Sequence, residues 1–220
     1  MKKTFLNTIL ILILAGFCTC KKDKNTEFTI NGFIIDKYSS EKIANATVEL
    51  YKQEVSSGTY NDILTLCETK ASDNEGKISF TVQKEYVNEY KLIISKDKYF
   101  TNEIILNPND VYNESGYNAN FKIASAGYIK VHVKNNSSLF SDDYVGITLE
   151  NAANEVCLGC CNNDLTQYIG DYVDEYFKCK TYANTNLIVK WSSIISGQVH
   201  NYEENVFIKP FDTTNFELTY

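Results

Sequence analysis

The chain has 220 residues and a formal net charge of −7, from 21 cationic and 28 acidic side chains. Every cation is lysine, so the planar guanidinium fork that most often grips phosphate is missing, and acids are interspersed with the lysines throughout. That distribution argues against a nucleic-acid partner, and the length is enough for one large β domain or two of about 100 residues, each with its own core.

Lys2 and Lys3 precede an unbroken apolar run from Ile9 to Gly16. A charged start followed by an apolar stretch of about 7–15 residues reads as a secretory signal and is too short to span a bilayer. The run ends in GFCTCKKDK, residues 16–24, with two cysteines between the apolar stretch and a polar one. This arrangement resembles the lipobox of bacterial lipoproteins, in which a cysteine becomes the acylated first residue of the mature chain. A small residue is wanted just before the cleaved bond, and Thr19 is smaller than Phe17. The resemblance therefore implies a signal peptide over 1–19, lipidation at Cys20 rather than Cys18, and a lipidated tether over 20–26. Phe17 stands where leucine is commonest in that motif. Removing 1–19 takes two lysines and no acid, leaving −9. The expected address is the cell envelope, as an outer-membrane lipoprotein on the periplasmic face or the cell surface.

From Phe28 the apolar period is two rather than 3.6. GKISFTV puts Ile78, Phe80 and Val82 on one face, GYIKVHVK puts Ile129, Val131 and Val133 on one face with Lys130, His132 and Lys134 opposite, and NFELTY alternates in the same way. Turn signals recur at SSGTYND, SDNEG, NPND, NNSS and SSIISG. LTQYIGDYVDEYF comes nearest to a helical stripe, but Gly170 and its β-branched and aromatic residues weaken it. Many short strands with regular turns predict an all-β protein of β-sandwiches.

Residues 28 to about 106 carry Gly32, Asp36, Ile43, Ala46, Val48, Leu50, Asp73, Gly76, Phe80 and Tyr99 in a pattern that resembles the carboxypeptidase regulatory-like (transthyretin-like) domain. Gly76 sits where a tight hairpin needs positive φ, with Asp73 able to cap the same turn. Asn45, Ser40 and Lys98 stand where that family prefers glycine, and asparagine is the next most tolerant of left-handed geometry. The resemblance implies a non-catalytic sandwich with a binding or spacer role. The predicted organisation is a regulatory-like β-sandwich over 27–125 and a second β-sandwich over 126–220, two consecutive immunoglobulin- or transthyretin-like domains.

The second half contains Cys157, Cys160 and Cys161 in CLGCCNND, then Cys179. In an exported protein these predict disulfides, and a vicinal Cys160–Cys161 bridge is strained, so Cys157 and Cys179 should partner the adjacent pair in either order. The alternative is a metal-binding or hydrolytic site around these cysteines with Asp171 and Asp174, although the second C-x-x-C knuckle of a zinc site is missing. Cys67, between Leu66 and Glu68, reads as a buried small hydrophobe. Asp142, Asp143, Asp171, Asp174 and Glu175 lack calcium-loop spacing and read as solvated loops. His132 and His200 lie in no local catalytic signature, and His132 reads as a surface residue. Trp191, on a face with Leu187 and Val189, reads as core. Tyr168, Tyr172 and Tyr176 would line one face of a strand or form a stripe on a helix.

The resulting expectation is a lipid-anchored, non-catalytic envelope module with no cofactor and no metal, bound to the membrane through its lipid and holding a protein or glycan ligand. A purely structural spacer is the remaining alternative.

Overall fold

A computed structural model describes residues 27–56, 59–136, 141–151, 157, 159–161 and 164–220. The leader, Cys18, Cys20 and the tether lie outside the described residues. The chain forms two β-sandwiches in succession. The first contains β1 (Glu27–Asp36), β2 (Thr47–Ser56), β3 (Thr59–Ala71), β4 (Lys77–Gln83), β5 (Val87–Ser95), β6 (Asn102–Leu106), a helical turn α1 (Pro108–Val111) and β7 (Tyr117–Ile123). The second contains β8 (Ala126–Lys134), β9 (Tyr144–Asn151), β10 (Thr166–Ile169), β11 (Asp174–Tyr182), β12 (Thr185–Ile195), β13 (Gln198–Ile208) and β14 (Thr213–Thr219).

The two units share one topology. The first stacks sheet β4-β1-β7 on sheet β3-β2-β5-β6, and the second stacks β11-β8-β14 on β10-β9-β12-β13. Adding seven to each strand number of the first unit reproduces the second. Pairing sense is conserved as well, since β1/β7 and β8/β14 are both parallel while the other pairs are antiparallel. The same backbone bond closes each parallel pair, Lys37 N donating to Ile123 O and Asn136 N to Tyr220 O. The strand period seen in the sequence fills the cores. Ile30, Ile34, Val48, Leu50, Phe80, Tyr90, Leu92 and Phe121 meet in the first, and Ile129, Val131, Val133, Val145, Ile147, Val189 and Leu218 in the second.

Two local expectations are corrected. Gly76 has φ +76° and Asp73 Oδ1 accepts from the amides of Glu75 and Lys77, but the turn joins β3 of one sheet to β4 of the other and is not a hairpin. Cys67 is exposed. Leu50 pairs with Glu68 and Tyr51 with Leu66, so Cys67 is the extra residue of a β-bulge, and its side chain is left outside the core that a small hydrophobic thiol was expected to join.

Ser40, Asn45 and Lys98 have φ of 62°, 54° and 64°. A non-glycine residue there costs about 1–2 kcal/mol, against about 0.5–1 kcal/mol of extra chain entropy lost by a glycine. Lys98→Gly is therefore expected to raise the unfolding free energy by about 0.5–1 kcal/mol in chemical denaturation, since the exposed Lys98 offers its backbone carbonyl to Ala126 N and a glycine keeps that bond.

Ala124 and Ser125, the whole connection between the units, are buried. Phe100 N donates to Ala124 O, Ala126 N to Lys98 O, and Ala183 N to Ser125 O, so backbone from both sandwiches closes on the junction. Asp36 accepts from the Ser125 amide through Oδ2 and from the amides of Tyr38 and Ser39 through Oδ1. Rings complete the joint: Tyr182 packs on Phe100 with centroids 4.9 Å apart and on Tyr38 at 5.7 Å, and Tyr99 meets Phe211 at 5.2 Å. Hydrogen bonds and ring packing thus bridge the two units.

Candidate binding surface

The cysteines of the second unit pair as Cys157–Cys160 and Cys161–Cys179. All four sulfurs are engaged with one another, which leaves no thiolate for the metal site considered as an alternative. Asp174, one of the two carboxylates assigned to that site with Asp171, instead faces His132. Cys161 and Cys179 pack against the second core, and Cys161 N donates to Lys180 O. Loop closure makes the two bridges unequal, because one spans a separation of 18 residues and the other only 3. Cys161→Ser with Cys179→Ser is expected to lower the unfolding free energy by about 3 kcal/mol, and Cys157→Ser with Cys160→Ser by about 1.5 kcal/mol, read from denaturant midpoints at unchanged m.

On the outer face of sheet β11-β8-β14, His132 lies between two carboxylates. Its Nε2 is 2.6 Å from Asp174 Oδ1 on β11, and its Nδ1 meets Glu217 on β14. Its ring stacks on Tyr176, with centroids 4.1 Å apart. The hydrogen bond to Asp174, with that to Glu217, holds the imidazole above its ordinary value, and the same bond holds Asp174 below its own. With both nitrogens occupied, His132 is a cross-strand tie on the surface. His200, on β13 of the other sheet, stands beside Tyr202.

The acids and tyrosines separate. Asp142 and Glu175 are exposed, but Asp143 is buried and accepts from Asn135 Nδ2 and Ser196 N. The expectation of a solvated pair fails there because Asp143 ties the β12–β13 turn to the end of β8. Tyr168 reaches the core from β10, Tyr172 is exposed in the turn before β11, and Tyr176 lies on the outer face of β11. They form neither a strand face nor a helical stripe. Trp191 packs against the second core as expected, edge to face with Phe216 and stacked on Tyr202.

The outer face of sheet β10-β9-β12-β13 carries a cleft of about 570 Å³, within the range of about 300–1,000 Å³ in which small ligands are held. Register defines its rows. One row sets Thr148, Lys190 and Glu203 side by side, the next Gly146, Ser192 and Asn201, with Gln167 completing it on β10, and the next Tyr144, Ile194 and Val199. The middle row has almost no side-chain bulk on the two central strands. There the phenol end of Tyr144 folds along its own strand, its oxygen 2.4 Å from where a Cβ on Gly146 would be, and Leu165 Cδ1 is 3.0 Å from the same point. Ser192 Oγ donates to Asn201 Oδ1. Lys190 donates to Glu150 at 2.6 Å and lies 4.0 Å from Glu203, and the bond to Glu150 holds the ammonium above its ordinary value. Of the residues lining the cleft, the sequence singles out Trp191 alone by name, and as core. The readable signal was a glycine at an outward position inside the apolar alternation Val145, Ile147, Leu149.

No family model matches the chain, and no curated protein matches it. Among solved structures it is similar to the Bacillus anthracis TIE protein, at 10% identity and TM-score 0.38 over 89% of this chain and 34% of that one. It is also similar to the shaft pilin SpaA of Lactobacillus rhamnosus GG, at 9% identity and TM-score 0.34 over 88% of this chain and 97% of that one. A third is the minor pilin GBS52 of Streptococcus agalactiae, at 11% identity and TM-score 0.34 over 87% and 94%. The chain spans about a third of the length of the first of these.

Proposed function

We propose that this chain is a lipid-anchored, non-catalytic envelope protein that presents a binding surface from a stiff two-sandwich arm. The observation that carries the reading is the junction: a connection of two buried residues is closed by hydrogen bonds and rings from both units, which supports a stiff joint between the sandwiches. A stiff body following a short lipidated tether holds its far face at a set orientation to the membrane. Anchorage rests on the leader and Cys20, and the first sandwich is read as a carboxypeptidase regulatory-like domain. Support for the latter comes from Ser40, Asn45 and Lys98, which are left-handed at the three positions where that family prefers glycine. The outer membrane, on its periplasmic or outer face, is the proposed location, and a protein or glycan the proposed ligand.

The test is growth of cells expressing the full chain with a labelled fatty acid, followed by membrane fractionation. Wild type should carry label and sediment with membranes, while Cys20→Ala should be unlabelled. Label retained by Cys20→Ala and lost by Cys18→Ala moves the anchor to Cys18; a wild-type chain without label overturns lipid anchorage.

A further inference from the structure

We infer that the outer-face cleft of the second sandwich binds an uncharged saccharide. The inference rests on the binding-module reading above and names the ligand of its exposed face.

The duplicated topology supplies the argument. Strand β9 of the second unit corresponds to β2 of the first, and both run through the middle of a sheet with the same order. The outward positions of β2 are Thr47, Glu49, Tyr51 and Gln53, with no glycine among them. The framework therefore does not require a glycine on that face. Neither does the backbone of β9, since Gly146 lies outside the left-handed region that favours glycine. A glycine inside a strand costs about 0.5–1 kcal/mol relative to alanine, and one without a backbone reason marks a close approach. What approaches here is the Tyr144 phenol, which lies against Gly146 and lines the cleft.

The chemistry around that ring selects the occupant. Tyr144 and Leu165 supply the apolar flank on which a sugar ring packs. Ser192 and Asn201 supply a hydroxyl and an amide that both donate and accept, as sugar hydroxyls require. Lys190 is the cation of the cleft, and Glu150 and Glu203 beside it leave the group with one net negative charge. A phosphorylated, sulfated or uronic ligand would meet that charge unfavourably, whereas a neutral ring would not.

The test is a saccharide array carrying neutral and acidic glycans, probed with the full chain in a detergent that has no sugar headgroup, with titration calorimetry on the hits. Neutral glycans should bind and acidic ones should not. The atoms nearest a Cβ at Gly146 are the ends of the Tyr144 and Leu165 side chains, so Gly146→Val should fold and weaken binding at least tenfold. Asn201→Ala, on an exposed edge strand, should weaken it several-fold and serves if the valine variant does not fold. Binding unchanged by both variants, or preferential binding of acidic glycans, overturns the assignment. A blank array with fatty-acid labelling intact overturns the saccharide alone and points the envelope module to a protein partner.

Discussion

Replacing Asp36 by alanine is expected to lower the unfolding free energy by about 3 kcal/mol, because three amides lose their acceptor at once. The Tyr38 and Ser39 amides belong to the turn after β1, and the Ser125 amide, on a residue with no exposed surface, belongs to the junction. Water cannot replace the carboxylate at Ser125 without opening the joint between the sandwiches. Asp36→Asn keeps one acceptor oxygen and should cost about half as much. The effect also has a pH signature. Burial pushes the Asp36 carboxyl up, but the hydrogen bonds from Ser39, Ser125 and Tyr38 outweigh it and hold the group below its ordinary value. A depressed carboxyl contributes stability that is present above the unfolded value of about 3.9 and is lost as pH falls through the folded one. Wild type should therefore lose stability below about pH 4 more steeply than Asp36→Ala, as read from denaturation midpoints across an acid series. Equal slopes would show that the carboxylate is not held as the geometry indicates.

Gly32→Ala should be at least as damaging, at about 3 kcal/mol or more. Gly32 lies in the central strand of its sheet, opposite Ile78 on one side and Ala119 on the other. A Cβ there would sit 1.9 Å from the Ala119 carbonyl oxygen and 2.7 Å from the Phe121 ring. Neither can move without parting β1 from β7, so the penalty falls on the pairing itself. Gly146→Ala offers the contrasting case. The atoms nearest its new methyl are the ends of two side chains, and its cost should stay within about 1 kcal/mol. Thermal and denaturant unfolding of the two variants side by side separates a glycine that the fold requires from one that it does not.

Strands were legible because each sandwich buries one face of every sheet, which imposes alternation directly on the residues: Ile78, Phe80 and Val82 inward, and Lys77, Ser79 and Thr81 outward. The positive φ of Gly76 and its aspartate cap were legible because Asp73 and Gly76 act within a few residues of each other, whereas the crossing of that turn between sheets was not. Whatever depended on partners distant in the chain was not. The bulge that turns Cys67 outward is a mismatch between β2 and β3, visible only when both are paired. Asp143 looks like its exposed neighbour Asp142 until Ser196 and Asn135 are brought against it. The cleft is harder still to foresee, since it is a row of small residues drawn from β9 and β12, separated by more than forty positions. The repetition of topology between the two units left no sequence signature either, because inward positions need only be apolar and of suitable size, and many sequences satisfy that condition.

The parallel pairing of β1 with β7 has a mechanical consequence. Parallel neighbours run from the same end of the sheet, so the chain enters the first sandwich at one end of this pair and leaves it at the other. A pull between an attachment before Glu27 and a load held by the second unit would draw β1 and β7 lengthwise past each other. The pairing from Ile30 opposite Tyr117 to Asp36 opposite Ile123 would then be loaded all together instead of being peeled apart one bond at a time. Such an arm would resist tension beyond what equilibrium stability alone sets, a property that would suit the proposed anchorage at one end and the proposed ligand at the other.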